Sequence, residues 1–412
     1  MEPQILTKRR AIGALRAGVP NRDVVRHLPL LQANLKDKFE RLLDSLSELD
    51  TKAKSMLIRG DFGTGKSHCL EYFVNQALER NFVCSRVVIS KESPLFDLSK
   101  IYRKCLEAAC VRDKTGSILH EIALKFNRNS DEFRKFGDWV ESQVIFDQRL
   151  AASVLLFEFF SDQDEEMNER IILEWMGYPM KTSVLREGLR KLGKIKQYQI
   201  GKPKKDQYFE RFQFIARFFK SAGYNGWIIL LDEGELIGRF SLRQRAKAYA
   251  NLSFLLGTSS LANSSDFGTV VTFTGDFDGE VLRGGKLDAD KIPMKLAGSR
   301  DAKWIEPSIS GMDAILHRSI DLQPVTKEVI EQNCETIQGL YSDAYAWSAP
   351  HIEVGEVLGT QSMRHYIRSW INRWDLLRLY GHEAEISSEK LVSSYEEDAD
   401  LEKPSDNEAE EG

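Results

Sequence analysis

Cysteine is scarce in this chain of 412 residues: Cys69, Cys84, Cys105, Cys110 and Cys334 form no C-x-x-C pair and have no histidine at zinc spacing. That excludes a disulfide-stapled fold and a structural zinc site, and it fits reduced thiols in a cytoplasmic protein. The seven histidines make neither H-x-x-x-H nor H-E-x-x-H, so no metal site is expected from them. No apolar run approaches the ~18 residues that a membrane span needs; the best is the short stretch from Trp227 to Leu231. Lys8, Arg9 and Arg10 near the start are not followed by the apolar segment of a secretion signal, so a soluble, non-exported protein is expected.

A strong charge of one sign is also missing, since 57 basic and 62 acidic residues leave a net charge of −5. The average hides an uneven distribution. Residues 395–412 hold nine carboxylates against Lys403, so residues 1–394 carry a net +3. A slightly basic body with an acidic tail is the better description. Length and a hydrophobic content of 42% call for one large domain with insertions, or two to three domains.

Apolar spacing predicts a helix, a turn at Gly18 and Pro20, and a second helix across residues 8–49, with Asn21 as N-cap. A strand at Met56–Ile58, a glycine-rich loop and a helix from about Lys66 to Leu78 follow, then a second strand at Cys84–Ile89. Residues 95–220 read as mostly helical, without strands. Further strands are expected within 226–235, 268–276 and, more weakly, 318–325. Strands alternating with helices imply an α/β fold with a largely parallel sheet flanked by helices. The expected divisions are an N-terminal helical segment 1–50, core halves 51–94 and 221–325, an insertion 95–220, a helical lid 326–390 and a disordered tail 391–412.

Gly60-Asp61-Phe62-Gly63-Thr64-Gly65-Lys66-Ser67 satisfies G-x-x-x-x-G-K-S/T between a strand and a helix start. Its glycines let backbone N–H groups close around a phosphate, and the helix dipole adds to the attraction. Lys66 would reach the β- and γ-phosphates of ATP, and the Ser67 hydroxyl would sit on Mg²⁺. His68 adjoins this nucleotide-binding stretch, with no chemical role of its own, and neither has Cys69. The buried strand ending in Asp232-Glu233 supplies the complementary motif. Asp232 would hold Mg²⁺ and Glu233 would orient and deprotonate the attacking water. Such a pair could instead cap the next helix; Glu235, which follows, could simply begin a polar segment.

With these motifs the chain resembles an AAA+ ATPase of the additional-strand, catalytic-glutamate branch of P-loop NTPases. More narrowly it is similar to the BrxD-type ATP-binding proteins of bacterial BREX anti-phage systems, whose core is like that of origin-recognition ATPases. The resemblance is carried by RRAIGALRAGVPNRDVVRHL, RGDFGTGKSH, SAGYNGWIILLDEGELIGRF with RQRAKAYANL, and GTQSMRHYIRSWINRWD. It implies a polar sensor residue at the end of the 270–276 strand. Where relatives carry Asn stands Gly275, which leaves Thr274 or Asp276. It also implies an arginine finger acting on a neighbouring subunit, for which Arg318 fits, although Arg318 could equally be a surface residue at a strand start. Arg364, early in a lid helix after Gly359, matches the arginine such lids offer to the γ-phosphate. The stripe Met363, Ile367, Trp370, Ile371, Trp374 and Leu377 on that helix reads as core.

Lys66 and Asp232 are 166 positions apart, so a segment has been inserted between them. Within it, residues 181–205 hold nine basic residues against Glu187 alone, after a helix and a turn at Gly177-Tyr178-Pro179. That pattern, across 166–206, is compatible with a helix-turn-helix or winged-helix element contacting DNA phosphates, or with a solvated lysine-rich surface. The expectation is a cytoplasmic ATP hydrolase that remodels or loads on DNA in phage defence, with other defence-system proteins and further copies of itself as partners. The rival is a nucleotide-dependent switch or adaptor that hydrolyses little.

Overall fold

The computed structural model describes residues 3–30, 32–47, 55–143, 148–160, 164–201, 208–258, 266–353, 362–382, 395, 396 and 398. Three helices come first, α1 (Pro3–Ala17), α2 (Arg22–His27) and α3 (Ala33–Ser47). Asn21 caps α2, its side chain accepting from the Val24 N–H at 3.0 Å. The single helix expected from Asn21 onward is split after α2. Pro29 has no N–H to donate and disfavours helical backbone at Leu28, which is extended.

The core then opens with β1 (Ser55–Arg59), α4 (Lys66–Glu79) and β2 (Val83–Val88). The insertion comprises α5 (Leu98–Glu107), β3 (Ala109–Val111), β4 (Lys114–Thr115), α6 (Ile118–Lys125), α7 (Asp131–Ser142), α8 (Gln148–Phe159), α9 (Glu165–Trp175), α10 (Thr182–Lys191) and α11 (Tyr208–Ser221). The second core half holds β5 (Trp227–Asp232), α12 (Leu242–Leu255), β6 (Phe267–Phe273), α13 (Asp288–Leu296), α14 (Ile305–Arg318) and β7 (Ser319–Asp321). Finally come α15 (Lys327–Tyr345) and α16 (Met363–Tyr380).

Among the described residues the seven strands form one sheet in the order β4-β3-β2-β5-β6-β1-β7. Strands β2, β5, β6, β1 and β7 are joined by four parallel pairings, whereas β2, β3 and β4 pair antiparallel at one edge. That edge corrects the strandless reading of residues 95–220: segments of three and two residues are too short to show a period of two. β6 lies between β1 and β5, so the strand before the phosphate loop and the strand ending in Asp232 are not neighbours.

Alternation along β5 sorts the two faces. Trp227, Ile229 and Leu231 join a core with α5, α11 and α12, and Ile228 and Leu230 join another with α3 and α4. Helices therefore cover both faces, which suits strands that are apolar throughout. A third core unites the two ends of the sequence. Ile12, Leu15 and Val24 pack with Ile337, Tyr341, Trp370 and Trp374, and Arg16 pairs with Asp375 at 2.8 Å. From the segments expected separately as 1–50 and 326–390, α1 and α2 thus meet α15 and α16 in one helical body, in which Trp370 and Trp374 are buried.

In the insertion a buried ion network ties α8, α9 and α11 together. Glu174 accepts from Arg149 Nη2 and from Arg211 Nη2, both at 2.7 Å, and from the Met180 N–H at 2.8 Å. α9 and α10 are joined by a turn in which Gly177 has φ 91°. The carbonyl of Gly177 accepts from Arg103 Nε and Tyr208 OH, fixing the turn to the body of the insertion. After α10, the described residues 192–201 hold a short 3-10 turn and no strand, so the winged form of the expected element has no described wing. Lys202, Lys204 and Lys205 lie outside the described residues, as does Gly359.

Candidate nucleotide site

β1 ends at Arg59, and the chain turns through residues 60–65 into the N-terminus of α4. Gly63 and Gly65 have φ of 74° and 107°, conformations that side chains rarely adopt. Lys66, the first helical residue, is 9% exposed. Its Nζ donates to the Gly60 carbonyl at 2.5 Å and the Asp61 carbonyl at 3.1 Å, folding back on its own loop. Burial lowers its pKa, against the opposing charges of Glu235, Asp232 and Asp61.

The acidic motif faces this loop because of strand alternation. Asp232 shares the α4 side of the sheet with Ile228 and Leu230, and it is 4% exposed. Ser67 Oγ donates to its Oδ2 at 3.1 Å, so the two expected metal ligands stand side by side. Two unexpected groups join them. Thr272 Oγ1 donates to Asp232 Oδ1 at 2.7 Å, and Arg86 Nη2 donates to Oδ2 at 2.9 Å while its Nη1 holds Glu71 at 3.1 Å. An arginine inside the apolar run of β2 was the available signal for a buried acidic partner.

Glu233 adopts φ 61° and is exposed, and its carboxyl is raised by burial of its inner part and by the Asp232 charge. The following 3-10 turn carries Glu235 inward. Glu235 is 7% exposed, its Oε2 has no hydrogen-bond partner among the described residues, and burial pushes its pKa up to about 7.

These groups line one cavity of about 500 Å³, within the range of small-ligand sites. Its polar end is built by residues 62–68, Asp232, Glu233, Glu235 and Arg364. The rest of its lining is largely apolar, with Leu15, Leu28, Pro29, Leu30, Val325 and Ile367, beside polar groups such as Gln32, Gln323 and Asn333. The Arg364 N–H donates to the Gly63 carbonyl at 3.4 Å, bringing the start of α16 onto the phosphate loop. His68 lines the cavity too, and burial lowers its pKa. Gly60 and Asp61 belong to the turn without lining the cavity.

Two expected residues are not brought into it. Thr274 is buried, but its hydroxyl bonds Tyr395 OH at 2.6 Å, and Tyr395 donates in turn to Asp276 Oδ1 at 2.7 Å. Both polar groups considered for the sensor position are thereby engaged by a residue expected in an unpacked tail. Asp398 of the same segment pairs with Arg239 at 2.6 Å. A Cβ at Gly275 would come within 2.5 Å of Asp61 Oδ1, so that exposed side chain would have to move aside. Arg318, last residue of α14, precedes Ser319, which pairs with Leu57. It therefore stands toward the opposite end of the strands from the phosphate loop, beside Glu306, Asp313 and His317 in a separate shallow cavity.

The arrangement suits a ligand with an apolar part and a polyanionic part. A family model described as the BREX system ATP-binding protein BrxC/D matches residues 6–129 and 150–373. The chain belongs to this BrxC/D family. ATP binding within a BREX phage-defence system is accordingly its function in coarse terms. The matched stretches include the phosphate loop, Asp232–Glu235 and Arg364, and they leave out residues 130–149 and the C-terminal segment from 374. No protein of curated function matches the chain. Among the described residues no helix is long and apolar enough to cross a membrane.

Proposed function

We propose that this BrxC/D-family protein binds ATP in the cavity between the phosphate loop and the Asp232 strand end, hydrolyses it, and uses the cycle to act on DNA or a DNA-bound complex. The observation that carries the reading is the approach of Ser67 to Asp232 within 3.1 Å beside a buried Lys66. The largely apolar part of the cavity would take the adenine, and the N–H groups of residues 62–67 the phosphates. Ser67 and Asp232 are hard oxygen donors of the kind magnesium takes, and they would hold that ion, which when bound neutralises charge on the phosphate oxygens.

The chain's own residues supply the rest. Lys66 turns from its loop carbonyls to the β- and γ-phosphates, and Arg364 adds a second cation from the start of α16. Glu233 orients the attacking water and takes its proton. Arg318, placed away from its own cavity, would serve a neighbouring copy in an oligomer. Lys181, Arg186, Arg190, Lys191, Lys194 and Lys196 are exposed around α10, while Leu185 and Leu189 face the core, which supports salt-sensitive DNA contact.

A slow, switch-like ATP binder is the second reading. It is favoured by Thr274 and Asp276 both being held by Tyr395, away from the cavity. Steady-state turnover of the wild type and Glu233→Gln, with and without duplex DNA, separates the two. Hydrolysis requires the variant to lose about 100-fold or more; equal inactivity of both proteins under every condition, partner proteins included, leaves the switch.

A further inference from the structure

Glu235 has no task in the hydrolysis scheme above, yet its placement demands one. It is more than nine-tenths buried, it lines the cavity with Lys66, Asp232 and Glu233, and its Oε2 meets no donor among the described residues. A carboxylate oxygen withdrawn from water without a hydrogen bond is costly. Among the described residues the other fully buried carboxylate oxygens have partners. Asp288, also buried, accepts from Arg245 Nε at 2.8 Å, Arg245 Nη2 at 2.9 Å and Tyr249 OH at 2.9 Å. Glu233 contrasts in the other direction, its side chain being exposed where that of Glu235 is buried.

We propose that Glu235 is a second catalytic carboxylate, whose Oε2 accepts a hydrogen bond from the water that attacks the γ-phosphorus while Glu233 accepts the other. With each O–H directed to one carboxylate, a lone pair of the water is left facing phosphorus. The water oxygen then bonds to the γ-phosphorus, and the bridging P–O bond breaks with its electron pair passing to the β-phosphate. One proton moves to Glu233, and the products are ADP and inorganic phosphate. Glu235 keeps its hydrogen bond throughout and sets the direction of attack. Its charge also faces the γ-phosphate and opposes ATP binding.

This assignment rests on the hydrolysis reading, and one experiment tells their failures apart. Wild type and Glu235→Gln are compared in ATP turnover, in ATP affinity measured in EDTA, and in melting temperature. The expected variant folds, turns over ATP roughly 100-fold more slowly, and binds ATP as tightly or up to about threefold more tightly once the like charge is gone. Glu235→Ala, measured alongside, should show the same slow turnover with affinity retained. An active wild type whose Glu235→Gln variant keeps kcat within about threefold, or loses ATP affinity together with kcat, overturns the Glu235 assignment alone. A wild type that never turns over ATP overturns both.

Discussion

In the insertion, Glu174 lies fully buried between Arg149 and Arg211, and each of its oxygens accepts from a guanidinium at 2.7 Å. In the cavity, Glu235 is almost as deeply buried, and its Oε2 meets no donor among the described residues. Burial alone would raise both carboxyls. At Glu174 the hydrogen bond from Arg149 and the charges of the two arginines outweigh it, so the pKa is lowered; at Glu235 burial prevails. The same residue type, withdrawn from water in both places, is finished as scaffold in one region and left open in the other. A closed network fixes α8, α9 and α11, whereas an open cluster keeps its hydrogen-bonding capacity for a ligand and a water.

Removing the closed carboxylate should be the most damaging change. Glu174→Ala leaves two buried guanidinium groups without their counter-charge, and denaturant unfolding should show a loss of about 3–5 kcal/mol. ATP affinity of the molecules that remain folded should not change. A loss under about 1 kcal/mol would mean that water reaches the network and that the two regions are alike.

Removing the charge of the open carboxylate should do the reverse, in a pH-dependent way. Because folding raises the Glu235 pKa from the ordinary 4.5 to about 7, the folded state holds this proton more tightly than the unfolded chain. The associated stability is complete below about pH 4.5, falls as pH rises to about 7, and is level above that. Glu235→Gln escapes the loss. Its advantage over wild type should grow by up to about 3 kcal/mol between pH 4.5 and pH 8. Equal pH profiles for the two proteins would show that Glu235 is satisfied in solution, which ends the comparison.

Local chemistry was legible and tertiary register was not. The phosphate loop needs only eight consecutive residues, and Asp232 announces itself as a charge closing an apolar strand, so these positions could be read in line. Arg86 and Thr272 reach Asp232 only through the parallel pairing of β2 with β5 and the placing of β6, which spacing along the chain does not contain. Tyr395 contacts Thr274 across 121 positions, and α1 meets α15 and α16 across more than 300, so neither contact leaves a local pattern. Glu235 was visible as a letter, but its inward turn depends on the 3-10 segment that starts at Gly234.

ATP binding to wild type and Lys66→Ala tests the central claim, that the cavity beside Asp232 is the ATP site, most directly. At about 100 times the dissociation constant, ATP should stabilise the wild type by about 2.7 kcal/mol, read as a rise in melting temperature. Lys66→Ala should retain its own melting temperature and lose most of that rise, with ATP affinity at least about tenfold weaker. A Lys66→Ala variant that binds ATP with full affinity and shows the same rise would contradict the account.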